Sequence, residues 1–580
     1  MNKALKVLLG MTIVSAILLC ALLVMLINKG NGQKQESKLK EFQEQYDERN
    51  TDTKTIAPVV YTDFSKDVEE DMLYDTDRHT QVYERIEALK RNGSYTKDAP
   101  LVIYNPYGIN AHSVYVYFTT AVPMKSSYRV SVTAGEIPTF DGQCNDKEEY
   151  TTIHEYLLIG LTAEASNRIS LSMEDQEGNA CVRTFYVTAG SRMGIGNQKL
   201  DVERGTSQAA PAAGMFVHFG NVSGTKEAIQ IYDNDGILRS EFPVIEGLGK
   251  RMLFHEDLLY FNCSEKEIVG IDRFGRAKRV YSTGTYTMGE DFCLDTTAQK
   301  LLVLASKAPA EGKTASVNDI LISVDLVSGE VKELLDMGIL LDEYKAGCVK
   351  NEAGVLDWLG LNSIQKWDDT GVLLGAREAS AAIKVKDVYG IPMLDYIVGD
   401  RGMFAGTGYE NHVLTKEGSF QSFFGANTFT CVKEEGMPSG VYALYLYDNH
   451  IAGTESRPEL DYSVMGKKLG SSLKKGTESY FCKYVVNETA RTWEQTEEFV
   501  LDYSGYKGSA QLTPEGHLVT DTAARFAYSE FDENRTLIRK YTAAGTEYLG
   551  RVFKYDFDGF FFAGEYEVPV EEETKDSKKK

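Results

Sequence analysis

Nowhere in this chain do two cysteines stand two residues apart. That excludes the common zinc-knuckle and thioredoxin-type arrangements. Eight cysteines are spread over 580 residues, and seven of them lie beyond residue 30, an odd number at wide spacing, unlike a disulfide scaffold. Buried thiols are expected, with Cys144–Cys181 the one bridge to consider. No G-x-S-x-G, P-loop or strand-linked G-x-G-x-x-G occurs, and "SRMGIG" (Ser191–Gly196) sits in a linker. His154-Glu155 is not a metal motif, because Leu158 stands where the second histidine belongs. "YDNDG" (Tyr232–Gly236) lacks the spacing and closing Glu of a calcium loop and reads as a turn. No metal and no cofactor is expected. Basic residues are in deficit: 62 Lys and Arg against 85 Asp and Glu, for a net charge of −23. Such a surface repels phosphate backbones and argues against nucleic acid as a partner.

One long apolar run is present. After Lys3 and Lys6, Val7 to Ile27 carries no charge over 21 residues, enough for one helical bilayer crossing and too long for the core of a cleaved signal peptide. The expectation is a single-pass membrane anchor over 1–29 with the remainder extracytoplasmic, at the cell surface. Residues 30–98 read as a polar stalk with short helices, one over Gln33–Arg49. Another is in "HTQVYERIEALKRNG", where Val82, Ile86 and Leu89 share a face and Gly93 marks the end.

From residue 99 the pattern becomes mainly β. "VYVYFTT", "YRVSVTAG", "RISLSMED" and "TFYVTAG" predict a small antiparallel sandwich over 99–190. A linker (191–213) follows, then a loose repeat of strand, Asp/Gly turn, strand: Asp233 with Gly236, Asp272 with Gly275, Asp325 with Gly329, Asp387 with Gly390. A second hairpin element recurs between these, as in "TTAQKLLVLAS" and "TPEGHLVTD". Six such units predict a six-bladed β-propeller over 214–568, ahead of a charged tail, 569–580.

With these motifs placed, the chain from about Asn105 resembles the bacterial arylsulfate sulfotransferases. The segments that carry the resemblance occur in order: "NPYGIN" (Asn105–Asn110), "HEYLLIGL" (His154–Leu161), "DWLGLNSIQKWDDTGVLLGARE" (Asp357–Glu378), "FFGANTFT" (Phe423–Thr430), "LYDN" (Leu446–Asn449) and "SRPELDYS" (Ser456–Ser463). The resemblance implies a β-sandwich followed by a six-bladed propeller. It also implies chemistry at the propeller axis, where a histidine takes the sulfuryl group from an aryl sulfate and passes it to a phenol. Two more histidines and an arginine would steady the oxygens. Sulfuryl transfer, like phosphoryl transfer, spreads charge over oxygens that a guanidinium holds well, and imidazole is a competent nucleophile near neutrality.

The frame is kept and the imidazoles are not. In the Asp-Trp-x-His-x-Asn segment, Asp357, Trp358 and Asn362 stand but Gly360 takes the histidine's place. Gly289 and Glu290 precede Asp291 where histidine is expected, and Asn427 occupies the nucleophile's position. An amide nitrogen, its lone pair delocalised, does not replace an imidazole. Losing a covalent nucleophile costs about 10⁴–10⁶ in rate. Arg377 persists, and with Asn362 and Asn427 it is a candidate for binding a small aromatic or sulfated molecule. Arg457 either lines the anion site or is structural. His450 either lies near the pocket or is a turn residue on its rim. Two functions stay open. One is a ligand- or partner-binding protein of sulfotransferase descent with impaired or absent catalysis. The other is an active arylsulfotransferase with a relocated nucleophile. The oligomeric state is not legible.

Overall fold

The computed structural model describes residues 51–564, apart from 133–135, 146–148, 221–225, 310, 312–313, 453–454, 463–468 and 545–548. The apolar run Val7–Ile27, the Gln33–Arg49 segment and the charged tail lie outside the described residues. Among the described residues, no helix is long and apolar enough to cross a membrane.

The N-terminal unit is built on one twenty-residue strand, Ser113–Val132. "VYVYFTT" and "YRVSVTAG" are thus one element, with a register shift between Thr119 and Met124 where it bends. Its first half pairs with Leu101–Tyr104 and Thr151–Ile159, its second with Phe140–Gln143 and Ser166–Asp175. One strand therefore feeds both layers of the sandwich. The unit begins earlier than the composition suggests. Asp52–Thr55 runs parallel to Cys181–Thr184, and Val60–Tyr61 parallel to Val102–Ile103, so part of the expected stalk belongs to the sheet. Cys144 and Cys181 are both buried free thiols, so the bridge considered between them is not made.

Residues Thr76–Asn92 form the expected amphipathic helix. Asp75 caps it by accepting from the Arg78 amide at 2.6 Å, and Gly93 closes it onto Leu89 O. The buried face (His79, Val82, Ile86) wedges between sandwich and propeller, where His79 Nδ1 accepts from the Ala277 amide at 2.7 Å. A single apolar core runs through the joint, from Val116 and Leu158 of the sandwich to Phe242 and Phe261 of the propeller.

Six four-stranded units form the propeller, two of them extended by a fifth edge strand. From the axis outward, blade one is Val552–Tyr555, Met215–His218, Ala228–Tyr232, Leu238–Pro243. Blade two spans Met252–Ser282, blade three Tyr286–Asp336, blade four Leu361–Gly399, blade five Asn427–Asp502 and blade six Ser509–Thr542. The Asp/Gly motif marks the turn between third and fourth strands of blades one to four, with Gly N donating to Asp O at 3.0, 2.8, 2.9 and 3.0 Å. Gly236, Gly275 and Gly329 each take φ above 70°, which explains the choice of residue. The ring closes twice. The C-terminal strand Val552–Tyr555 supplies the innermost strand of blade one, and Asp201–Arg204, expected as linker, is the outermost strand of blade six.

Candidate functional site at the propeller axis

The residues that meet at the axis come from the starts of the innermost strands: Lys250, Lys507 and Arg551 stand one or two residues ahead of one, Asn427 opens one, and Glu290 and Asn362 lie in ladder interruptions. In blade three the ladder is interrupted between Met288 and Phe292. Of the two residues standing for one expected histidine, Glu290 faces the axis. A Cβ on Gly289 would meet Leu304 and Asn318 of its own blade's side. Glu290 receives the Lys507 ammonium at 2.7 and 2.6 Å on its two oxygens, across 217 residues of sequence.

Arg551 lies under this pair. It is 4% exposed. It donates to Glu290 O at 3.0 Å, to Asn362 O, and to Asn427 Oδ1 at 3.4 Å, while its Nε has no partner among the described residues. Asn362 donates to Ala426 O at 3.0 Å, and Asn427 Oδ1 also accepts from the Thr428 amide at 3.0 Å. Both amides are buried and oriented. Asp291, one residue below, is held by Arg251 at 2.6 and 2.8 Å.

Arg377 sits to one side. It pairs with Glu378 and donates to Gly505 O at 3.2 Å. Gly360 has φ +56°, and a Cβ there would come within 3.1 Å of Glu378 Cγ and 3.6 Å of Arg377 Cβ. The space beside this expected histidine position is therefore taken by the Arg377–Glu378 pair. Asp357 is half-buried nearby, with Oδ1 unpartnered. Burial first, then the Glu378 charge, push its carboxyl up to about 7, with Arg377 and Asn318 opposing.

Burial alone would raise Glu290 too. Lys507, Lys250 and Arg551 overcome that and hold it well below the ordinary carboxylate range. Lys250 is pulled the other way. Burial lowers its pKa, Glu290 opposes this, and Lys507 and Arg551 add to it. Four cations (Lys250, Arg377, Lys507, Arg551) thus share the axis with Glu290, Glu378 and Asp357, and Asp357 is protonated below about pH 7. The arrangement suits an anion. It offers oriented donors and no ring nitrogen.

Asn362, Asn427 and Glu290 lie together around Arg551, with Arg377 and Gly360 at their flank. Arg457 is elsewhere. It pairs with Glu459 at 2.8 Å, donates to Met403 O and lies 5.1 Å over the Tyr344 ring, a packing role. His450 is 5% exposed and faces Asp448 at 3.0 Å and Gln421. The other histidines are engaged away from the axis: His79 and His112 at the sandwich joint, His154 among Ser126 and Tyr156, His218 between Tyr232 and Tyr528, His255 by Gln299, His412 by Asp395, His517 on Glu530. Sequence reading missed Lys250, Lys507 and Arg551. Each stands one or two residues ahead of a first strand (Met252, Ser509, Val552), whereas Asn362 and Asn427 lie within theirs, so no register shared with the motif residues marked the three cations.

Among solved structures, similar chains include a protein of unknown function from Bacteroides caccae (11% identity, 59% of this chain and 98% of that one, TM-score 0.32). BamB from Moraxella catarrhalis (11%, 62% and 95%, 0.28) and apo AztD from Citrobacter koseri (8%, 74% and 98%, 0.26) are others. At such scores they add nothing to the assignment. No curated protein sequence matches. Two family profiles do. The arylsulfotransferase Ig-like domain matches residues 101–190, over the sandwich, and arylsulfotransferase (ASST) matches residues 200–552, more than half of the chain and all but the closing strand of the propeller. On that match, and with the motif frame assembled at the axis, the chain belongs to the arylsulfotransferase (ASST) family.

Proposed function

We propose that this protein binds a small aromatic or sulfated molecule at the propeller axis and does not carry out histidine-mediated sulfuryl transfer. One observation carries the reading: the positions where family resemblance expects imidazoles hold Gly289 with Glu290, Gly360 and Asn427, while the histidines make their contacts elsewhere, His218 by ring packing against Tyr232 and Tyr528 alone. Asn427 is fixed as an acceptor by Arg551 and the Thr428 amide, and Glu290 puts a negative charge where a sulfate would need attraction. We further propose that the apolar run Val7–Ile27 anchors the chain, with the propeller on the extracytoplasmic side. Support for this is the run's length and the flanking Lys3 and Lys6.

The test of the first proposal is to incubate the purified full chain with a chromogenic aryl sulfate and a phenol acceptor. Release of the chromophore is expected at the rate of buffer alone, with the aryl sulfate still protecting the protein in a thermal melt. Turnover that disappears in Arg377→Ala or Asn427→Ala would overturn it. The anchor is tested by protease digestion of intact cells: the propeller is expected to be cut from outside, and protection would sink the orientation.

A further inference from the structure

Three cations at the axis are incompletely used by the fold. The Lys250 ammonium makes no hydrogen bond or ion pair within 4 Å among the described residues, although its backbone amide is anchored on Asn262 Oδ1 at 2.7 Å. Arg551 is nine-tenths buried and leaves Nε unpartnered. Lys507 has a single ion-pair partner, Glu290. Burying cations of like sign close together is costly unless an anion joins them.

Glu290 is drawn into the field of all three, while Arg551 also has Asp291 at 3.8 Å, already held by Arg251, and Lys250 also feels Glu265. Lys507 meets both Glu290 carboxylate oxygens at 2.7 and 2.6 Å, Arg551 donates to the Glu290 backbone carbonyl at 3.0 Å, and the Lys250 ammonium acts on the carboxylate from beyond 4 Å. Leaving costs Glu290 only the Lys507 pair, and residues 289–291 fall in the interruption of blade three's first strand, where no ladder hydrogen bond restrains the backbone that carries it. Its side chain keeps 31% of its surface accessible and that of Lys507 keeps 21%, so solvent reaches the pair from the mouth of the axis.

We infer that Lys250, Lys507 and Arg551 form an oxyanion site at the propeller axis, and that the Glu290 carboxylate is its built-in occupant, displaced when an anionic ligand binds. The inference rests on the proposed reading of the axis as a binding site and names the chemistry of the group received there. A tethered carboxylate competes at an effective concentration in the millimolar range, so a ligand has to offer a better-matched oxyanion or further contacts, such as an aromatic body. Sulfate monoester, phosphate and carboxylate share the required chemistry. Glu290 thereby sets a threshold that weak ambient anions do not cross.

The experiment is calorimetric titration of the full chain with inorganic sulfate, inorganic phosphate, benzoate and an aryl sulfate. Each probe is run on wild type, Glu290→Gln, Lys250→Met and the double variant, with thermal melts to check folding. Glu290→Gln is expected to bind the preferred oxyanion about tenfold tighter or better, since a like charge is removed from the site. The double variant should lose that gain. The arms identify which oxyanion is preferred. Equal affinity in wild type and Glu290→Gln, both folded, overturns the inference. Should Glu290→Gln fail to fold, Lys250→Met decides, because its ammonium supports no contact of the fold. Several-fold weaker oxyanion binding supports the site, and unchanged binding sinks it. Aryl sulfate binding that is lost in Arg377→Ala but indifferent to Glu290→Gln and Lys250→Met would keep the axial reading and sink only the oxyanion site. Binding of no probe to any variant would sink both.

Discussion

At the joint between sandwich and propeller, the Arg239 guanidinium reaches Asp233, Gly160 O and Pro138 O, while at the axis Arg551 leaves a buried Nε with nothing to bond. The same contrast holds for amides. Asn110 at the joint bonds Ser240 across the two domains at 2.8 Å, and Asn427 at the axis presents its oxygen to a strained, partly filled cluster beside Thr428, whose φ is +50°. At the joint, buried polar groups lie in one continuous apolar core and are mostly bonded, although Arg78 Nη1, His112 Nε2 and Arg276 Nε lack a partner just as Arg551 Nε does. What sets the axis apart is that Lys250, Lys507 and Arg551 are gathered with Glu290 and Asp357, like charges brought close. Like charges held together below full compensation are costly, and function is the usual reason that cost is retained.

The sharpest way to break this comparison is to remove apolar mass from the joint. Phe261 is fully buried, with Tyr74 and Phe242 ring centroids at 5.8 and 4.9 Å. Phe261→Ala is expected to cost about 3–5 kcal/mol in denaturant unfolding and to leave ligand affinity unchanged in the folded fraction. Lys250→Met should show the reverse, with stability within about 0.5 kcal/mol of wild type and binding impaired. If both variants change stability equally, the joint and the axis do not divide their work as argued.

The second prediction uses pH. His218 is fully buried between Tyr232 and Tyr528, neither ring nitrogen has a partner among the described residues, and burial lowers its pKa to about 3. Below about 6.5 the unfolded chain takes up a proton that the folded chain refuses. Stability is then lost as pH falls toward 3, by up to about 1.4 kcal/mol per pH unit. His79 and His154, lowered to about 3 and about 4, act in the same direction. His218→Phe should be more stable than wild type by about 2 kcal/mol at pH 5 and indistinguishable at pH 8, read as unfolding midpoints. An advantage that is the same at both values would show that the imidazole is not neutral in the fold.

The comparison also explains what was legible. Blades one to four were readable because Asp233, Asp272, Asp325 and Asp387 mark third-to-fourth strand turns that physics restricts to Gly-bearing sequences. Asp52–Thr55 and Asp201–Arg204 were not, since both are mostly exposed edge strands without an apolar alternation to betray them. At the axis, Asp357, Asn362, Arg377 and Asn427 came through as a motif frame. Lys250, Lys507 and Arg551 belong to no local pattern. Glu290 meets Lys507 across 217 residues, and Arg551 meets Asn362 across 189. Such contacts are set by ring closure, and the closing strand is only the four residues Val552–Tyr555.

The smallest expected effect probes the axis alone. Asp357 has one oxygen without a partner and a carboxyl raised to about 7 by burial and by Glu378. Between about pH 4 and pH 7 the folded chain keeps a proton that the unfolded chain has released, so stability falls as pH rises through this window and levels off above it. Asp357→Asn removes the titration while keeping the shape. Its advantage over wild type should be near zero at pH 4 and grow to a plateau above pH 7. The side chain is only half-buried, so screening by water limits the plateau to about 1–2 kcal/mol. The same substitution at pH 8 deletes a negative charge from the neighbourhood of Arg377 and Glu290, so oxyanion binding should tighten slightly there and not at pH 5. A pH-independent difference in stability would mean that Asp357 is ionised throughout. The axis would then be closer to neutral than the contrast with the joint requires.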